Sequence, residues 1–229
     1  MPTAPKTLIN LLLSPWNALK NHLRLKQWIK ENNLHHHEVA FQEIFKDING
    51  FQVSREARVD TDALEYTYGE IEFLPFIALL SLVTPGKNTV FYDLGSGVGK
   101  AVFACALAYP IQKSVGIELF NPLHQHAQKA QKNLLKLGGY EEIANKISFF
   151  QGNYLEVDLQ EATLIFINSS TIFNPLWENL SKRLENFPQV LTVITTSKPL
   201  ESTHFSLIRR AQVEMSWGVV MAYIHQRKN

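Results

Sequence analysis

Glycines 95, 97 and 99 stand within Asp93-Leu94-Gly95-Ser96-Gly97-Val98-Gly99-Lys100, between a short apolar stretch and a helix-forming one. Without Cβ atoms such a segment turns tightly and lets its backbone approach a ligand. The dinucleotide pattern Gly-x-Gly-x-x-Gly places its third glycine one position later, so spacing alone is a weak signal. Two acids strengthen it. Asp93 ends the first strand, at the carboxyl edge where open α/β sheets bind ligands. Glu118 ends the second, about twenty residues beyond the glycines, where an acid accepts hydrogen bonds from ribose hydroxyls. A pyrophosphate would be repelled by Asp93. The turn therefore suits a nucleoside carrying positive charge, such as a sulfonium with an ammonium.

Strands and helices must position these residues. Thr89 to Asp93 predicts a strand, Lys100 to Ala108 a helix, Ser114 to Leu119 a strand and Leu123 to Leu137 a helix closed by Gly138-Gly139. Lys146 to Gln151 and Ala162 to Asn168 predict two further strands. Asn174 as cap, with Pro175 at the first helical position, opens a helix over Leu176 to Phe187. Val190 to Thr196 is a buried strand; Phe205 to Met215 and Val219 to His225 predict an antiparallel hairpin at the edge. Seven strands interleaved with helices imply an α/β, doubly wound, Rossmann-like sheet.

Residues 1–60 differ in texture and predict an N-terminal helical appendage to a domain of residues 61–229. Ile9, Leu12, Leu13, Trp16, Leu19, Leu23, Leu25, Trp28 and Ile29 recur at helical spacing, with Pro15 expected to end or start a helix. A second apolar stripe, Val39, Phe41, Ile44, Phe45 and Ile48, stops near Asn49-Gly50. Packing on the main domain is the commoner fate of such stripes; a basic helix lying on a membrane surface is the alternative.

The chain of 229 residues carries 22 Lys and Arg against 21 Asp and Glu, for a net charge of +1, which argues against a protein gripping nucleic acid over a wide area. Its one cysteine, Cys105, forms no internal disulfide or multi-thiolate metal site and reads as a small buried hydrophobe. The longest apolar stretch, Leu74 to Val83, falls short of the roughly twenty residues that a transmembrane helix needs. No signal-peptide cleavage site follows Leu8 to Leu13, so a cytoplasmic location is the expectation. No metal site is expected. Three consecutive side chains, His35, His36 and His37, do not converge on one face, and they are expected to lie at the surface in water. His124 and His126 are expected to face solvent, as is the stripe Lys129, Lys132 and Lys136.

Beyond the glycine turn, several blocks in order resemble the non-SET histone lysine methyltransferases, the disruptor-of-telomeric-silencing family. They are Tyr68-Gly69-Glu70, Asp93 through Gly99, Val115-Gly116-Ile117-Glu118, Gly152-Asn153-Tyr154, Ile167-Asn168-Ser169-Ser170, Thr196-Ser197-Lys198-Pro199, and Trp217 followed by Ala222-Tyr223-Ile224-His225. The resemblance covers roughly residues 64 to 226. It implies a class I methyltransferase fold, S-adenosylmethionine as cofactor and a protein lysine as methyl acceptor. Carried over position by position, the cofactor-binding residues are Tyr68, Glu70, Asp93, Gly95, Ser96, Gly97, Gly99, Lys100, Glu118, Asn153, Tyr154 and Asn168. Asn168 is expected to orient the acceptor nitrogen, with Tyr68, Phe173 and Tyr223 as catalytic channel walls. For Asn168 a strand-end cap is the plainer alternative, and for Tyr223 core packing. This chain departs from the family in having Asn153 where an aspartate meets the adenine, in Ser169 and Ser170, and in lacking a long basic segment for nucleosomal DNA. Two rival functions stay open: methylation of RNA or a small molecule, and non-catalytic cofactor binding. The Asn/Asp-Pro-Pro-Tyr/Phe element of amino-group nucleic-acid methyltransferases is absent after the fourth strand, where Asn168-Ser169-Ser170-Thr171 stands.

Overall fold

The computed structural model describes residues 18–58 and 68–228. Seven strands form one sheet: β1 (Val90–Leu94), β2 (Lys113–Glu118), β3 (Ile147–Gln151), β4 (Leu164–Asn168), β5 (Thr192–Thr196), β6 (Phe205–Met215) and β7 (Gly218–Arg227). Their order is β3-β2-β1-β4-β5-β7-β6. The first five run parallel; β7 lies antiparallel between β5 and the edge strand β6, as the expected hairpin requires. The order reverses between β1 and β4. Such a switch point opens a crevice beyond the carboxyl ends of the strands.

The central strands β1, β2, β4 and β5 are buried on both faces, so their side chains alternate between two apolar layers. Phe91, Leu164 and Phe166 face one layer; Val90, Tyr92, Leu94, Ile165 and Ile167 face the other. The second layer is closed by α8 (Leu176–Glu185), whose Trp177, Leu180 and Leu184 are buried. The first receives α4 (Phe73–Leu80), α5 (Lys100–Ala108), α6 (Asn121–Leu135) and α7 (Glu141–Asn145), and also the N-terminal helices. These are α1 (Ala18–Glu31), α2 (Leu34–Phe45) and α3 (Gly50–Ala57). Trp28, Leu34, Phe41, Ile44 and Phe45 join the same core as Phe91 and Phe103. Phe45 meets Phe103 edge-on at 5.4 Å, and Asn133 of α6 donates to the Ile44 carbonyl at 3.1 Å. Cys105 is buried on α5.

Several local expectations are corrected. The second helix ends at Phe45, just before Asn49-Gly50, but a further helix follows: the Asn49 side chain accepts from Gln52 N–H at 3.1 Å and so starts α3. Val39 is 51% exposed, because α2 turns Leu34, Ala40, Phe41, Ile44 and Phe45 inward instead. His124 is buried beside Leu123, on the face of α6 that also carries Ala127, Ala130 and Leu134; His126 is half-buried, with Nδ1 2.8 Å from the Pro122 carbonyl. Asn174 does not cap α8: Pro175 takes the flanking position and the Asn174 amide donates to Glu178 at 3.3 Å. His35 and His36 are exposed, as expected of surface residues, and the His36 and His37 rings also pack on Tyr140, with centroids 5.6 and 6.0 Å away. The expectations for Ile9 to Trp16, including Pro15, lie outside the described residues. Among the described residues, no helix is long and apolar enough to cross a membrane, and no cluster of acids, histidines or cysteine has the grouping of a metal site.

Candidate functional site

The crevice at the switch point holds a cavity of about 210 Å³. Its floor is the glycine turn after β1. The amides of Gly95 and Ser96 both donate to the Ile117 carbonyl at 2.9 Å, which ties the turn to β2. Gly97 has φ +55° and underlies the Tyr68 ring, so closely that a Cβ there would stand 2.5 Å from it. Gly99 has φ +92° and abuts Phe149 below the sheet edge. Of the expected site residues in the turn, Asp93, Gly95, Ser96, Gly97 and Lys100 line the cavity, whereas Gly99 serves packing.

Three carboxylates face one lysine in this lining. Glu118 is 6% exposed, and both of its oxygens are fixed: Gly97 N–H and Phe120 N–H each donate to it at 2.8 Å. Burial pushes its pKa up, while those amides hold it back. A carboxylate has about four acceptor sites, more than these amides fill, which suits a diol. Asp93 is 4% exposed, with no hydrogen bond or ion pair from another described side chain. Burial, and secondarily the Glu118 charge, push its pKa up to about 8. A cation beside it would restore the carboxylate.

The third acid belongs to a strap, Tyr68-Gly69-Glu70, that crosses the turn. The Tyr68 hydroxyl donates to Glu70 at 2.8 Å, and the other Glu70 oxygen meets Lys100 Nζ at 2.7 Å. The strap is fastened to the hairpin: Ser216 N–H donates to the Glu70 carbonyl at 2.9 Å and Glu70 N–H to the Ser216 hydroxyl at 3.1 Å. Trp217 packs on Gly69 so closely that a Cβ there would overlap its ring.

Asn168, at the end of β4, lines the opposite wall. Its amide orientation is set from behind. Thr196 and Ser170 hydroxyls lie 2.7 and 2.8 Å from Oδ1, and the Ser170 backbone N–H lies 3.5 Å away. A backbone N–H can only donate, so the atom that it faces is the carbonyl oxygen. The Asn168 NH2 is therefore the group left to the cavity, as a donor. Asn153 also lines the cavity, but its oxygen already accepts from Leu155 N–H at 2.9 Å and its NH2 donates to Glu156 at 3.1 Å. Tyr154 lines the same end.

The structure does not bring Phe173 and Tyr223 to the cavity. Side chains alternate along β7, and Ala222 and Ile224 enter the core on the cavity side, so Tyr223 faces the other way, under the Arg210 guanidinium at 5.8 Å. Phe173 is 44% exposed beneath Lys198 Nζ at 4.4 Å, because Thr171 and Ile172 occupy the inward positions of its loop. Sequence reasoning missed Ser54, Ile71, Phe166, Ile172, Leu176 and Met215, which also line the cavity. They carry no motif and come from α3, β4, α8, β6 and, for Ile71 and Ile172, from segments between elements, so nothing in their spacing unites them.

A doubly wound sheet in this order, with a glycine turn after β1, an acid one residue before the end of β1 and another ending β2, has the fold of the class I methyltransferases. Solved structures share it: an RNA methyltransferase from Salinibacter ruber, in complex with S-adenosyl-L-homocysteine, has TM-score 0.52 and 22% identity, covering 67% of this chain and 91% of that one. Magnesium protoporphyrin IX methyltransferase from Synechocystis PCC 6803 has TM-score 0.51 and 13% identity, covering 84% and 97%. The sequence matches the family described as Histone methylation protein DOT1 over residues 59–223, and the chain belongs to that family. A Caenorhabditis elegans histone-lysine N-methyltransferase, H3 lysine-79 specific, is 28% identical over 200 residues, in a match covering 82% of this chain and 20% of that protein. A protein-lysine N-methyltransferase from Saccharolobus islandicus is 29% identical over 107 residues, 47% of this chain and 60% of that protein. The chain thus spans a fifth of the first relative and three fifths of the second.

Proposed function

We propose that this chain binds S-adenosylmethionine under the strap and transfers methyl to a lysine amine of a protein. The observation that carries the first part is the lining: among the described residues, Glu70, Asp93 and Glu118 face Lys100 alone. That surplus of acid favours a cation. The residues fit this cofactor in detail. Glu118 has its oxygens aimed by two amides and suits the ribose diol, and a Cβ at Gly95 would meet nothing within 4 Å, which leaves room for a ligand against the turn. Membership of the family and the names of its relatives support lysine as the acceptor.

When bound, S-adenosylmethionine supplies a methyl group activated by a positive sulfonium. The chain's own part is positioning and exclusion of water, since an in-line displacement needs aligned partners more than acid–base chemistry. Tyr68, Glu70 and Asp93 meet the positively charged methionine end, and Glu118 holds the nucleoside end. The Asn168 NH2 donates toward the reacting region. An incoming ammonium must first lose its proton, and burial among Ile71, Phe166, Ile172 and Met215 lowers an amine's pKa by desolvation.

Incubation with isotopically labelled cofactor and cell extracts tests the reading. Label that survives RNase and is lost with protease supports a protein acceptor. Label lost with RNase would move the acceptor to RNA, and no transfer despite cofactor binding would leave a non-catalytic module.

A further inference from the structure

Helix α3 lies outside residues 59–223, the part of the chain that the family match covers. It nevertheless touches the strap. A Cβ built on Gly50, its first residue, would overlap the Tyr68 hydroxyl and the Glu70 carboxylate and stand 2.8 Å from the Tyr68 ring. Phe51 meets that ring edge-on at 5.3 Å, and Ser54, one turn further on, is 1% exposed and lines the cavity. Gly50 does not need glycine for its own backbone: it opens a helix and has no left-handed φ. The missing side chain is needed for the room it leaves.

We infer that α3 is a wall of the cofactor pocket, and that Gly50 is a positioning residue letting Tyr68 and Glu70 fold over the glycine turn. This rests on the reading of the cavity as the S-adenosylmethionine site. Its geometry is continuous. The strap lies between α3 on one side and Ser216 and Trp217 of the hairpin on the other, with Lys100 reaching Glu70 from below. Any side chain at residue 50 must push the Tyr68–Glu70 pair away from Lys100 and the turn. The consequence falls on the amino-acid end of the ligand, which Glu70 meets. The nucleoside end is held by Glu118 on β2, whose oxygens are fixed by the Gly97 and Phe120 amides and not by the strap.

The test is Gly50→Ala in the full chain, titrated calorimetrically with S-adenosylhomocysteine and with 5′-methylthioadenosine, which lacks the amino-acid end. Alanine is the better helix former, so helix propensity does not oppose the change. S-adenosylhomocysteine should bind about tenfold more weakly, the worth of one charge-assisted contact, while 5′-methylthioadenosine stays within about twofold. Unchanged S-adenosylhomocysteine affinity, or equal losses for both ligands, would overturn the inference and leave the pocket reading standing. A wild type that binds neither ligand would remove the pocket reading itself, and the inference with it. Should Gly50→Ala melt early, Phe51→Ala replaces it. That ring is 41% exposed and touches the strap through Tyr68, so the same ligand-selective loss is expected, at about two- to fivefold, and equal losses again count against the role.

Discussion

Asp93 and Glu118 are both buried acids, yet their surroundings differ. Two amides aim the Glu118 oxygens, whereas Asp93 has burial and a like charge nearby. Glu118→Ala should weaken S-adenosylmethionine binding roughly ten- to a hundredfold, as loss of about 1.5–3 kcal/mol of charge-assisted hydrogen bonding requires, and calorimetry reads this directly. Equal affinity would sink the ribose assignment. For Asp93 the prediction is a pH dependence. With a pKa of about 8, its proton must leave when a cation binds, so affinity should climb with pH and level off above about 8. Asp93→Asn should flatten that slope. Ligand-free stability runs the opposite way: the folded pKa lies above the ordinary 3.8, so the stabilisation present below 3.8 is lost as pH rises toward about 8. Both acids were legible from their places at strand ends. Their contrasting environments were not, since they depend on the Gly97 and Phe120 amides and on which neighbours shut out water.

The strands and long helices follow from apolar periodicity because each buries its whole apolar face. Short elements escaped it. Helix α7, Glu141–Asn145, has too few residues to show a period, and α3 follows an Asn-Gly pair that reads equally well as a stop. The misplacement of Tyr223 has the same root. A motif match gives its position in β7, but the side of the sheet is set by its antiparallel register with β5, where Thr195 faces Tyr223. At this scale Gly99 links the turn to α5. Gly99→Ala should cost at least about 1–2 kcal/mol for the left-handed backbone, plus the overlap with Phe149, where a Cβ would stand at 2.6 Å. Gly139→Ala is the control: φ is +86° there, with nothing within 4 Å of the added Cβ. Urea unfolding midpoints should place Gly99→Ala clearly below Gly139→Ala. Equal midpoints would mean that Phe149 yields freely.

Across the whole molecule, the N-terminal helices and the sheet share one apolar core on the face that carries α5 and α6. Ile44, fully buried on α2, tests that unity. Ile44→Ala should lower stability by about 2–5 kcal/mol in a single transition that also carries the loss of cofactor binding. Two separate transitions would mean that the helices fold apart from the sheet. The sequence by itself determined the doubly wound sheet, the edge hairpin, the glycine turn and the two strand-end acids, because each is written in local periodicity or in a contiguous motif. The tertiary structure alone decided that α3 touches the strap, that Asn168 offers its NH2 to the cavity, and that Phe173 and Tyr223 stand outside it. Those facts depend on contacts between segments far apart in the chain, and on the side of a strand or loop that faces the crevice. No local pattern of residue types encodes either.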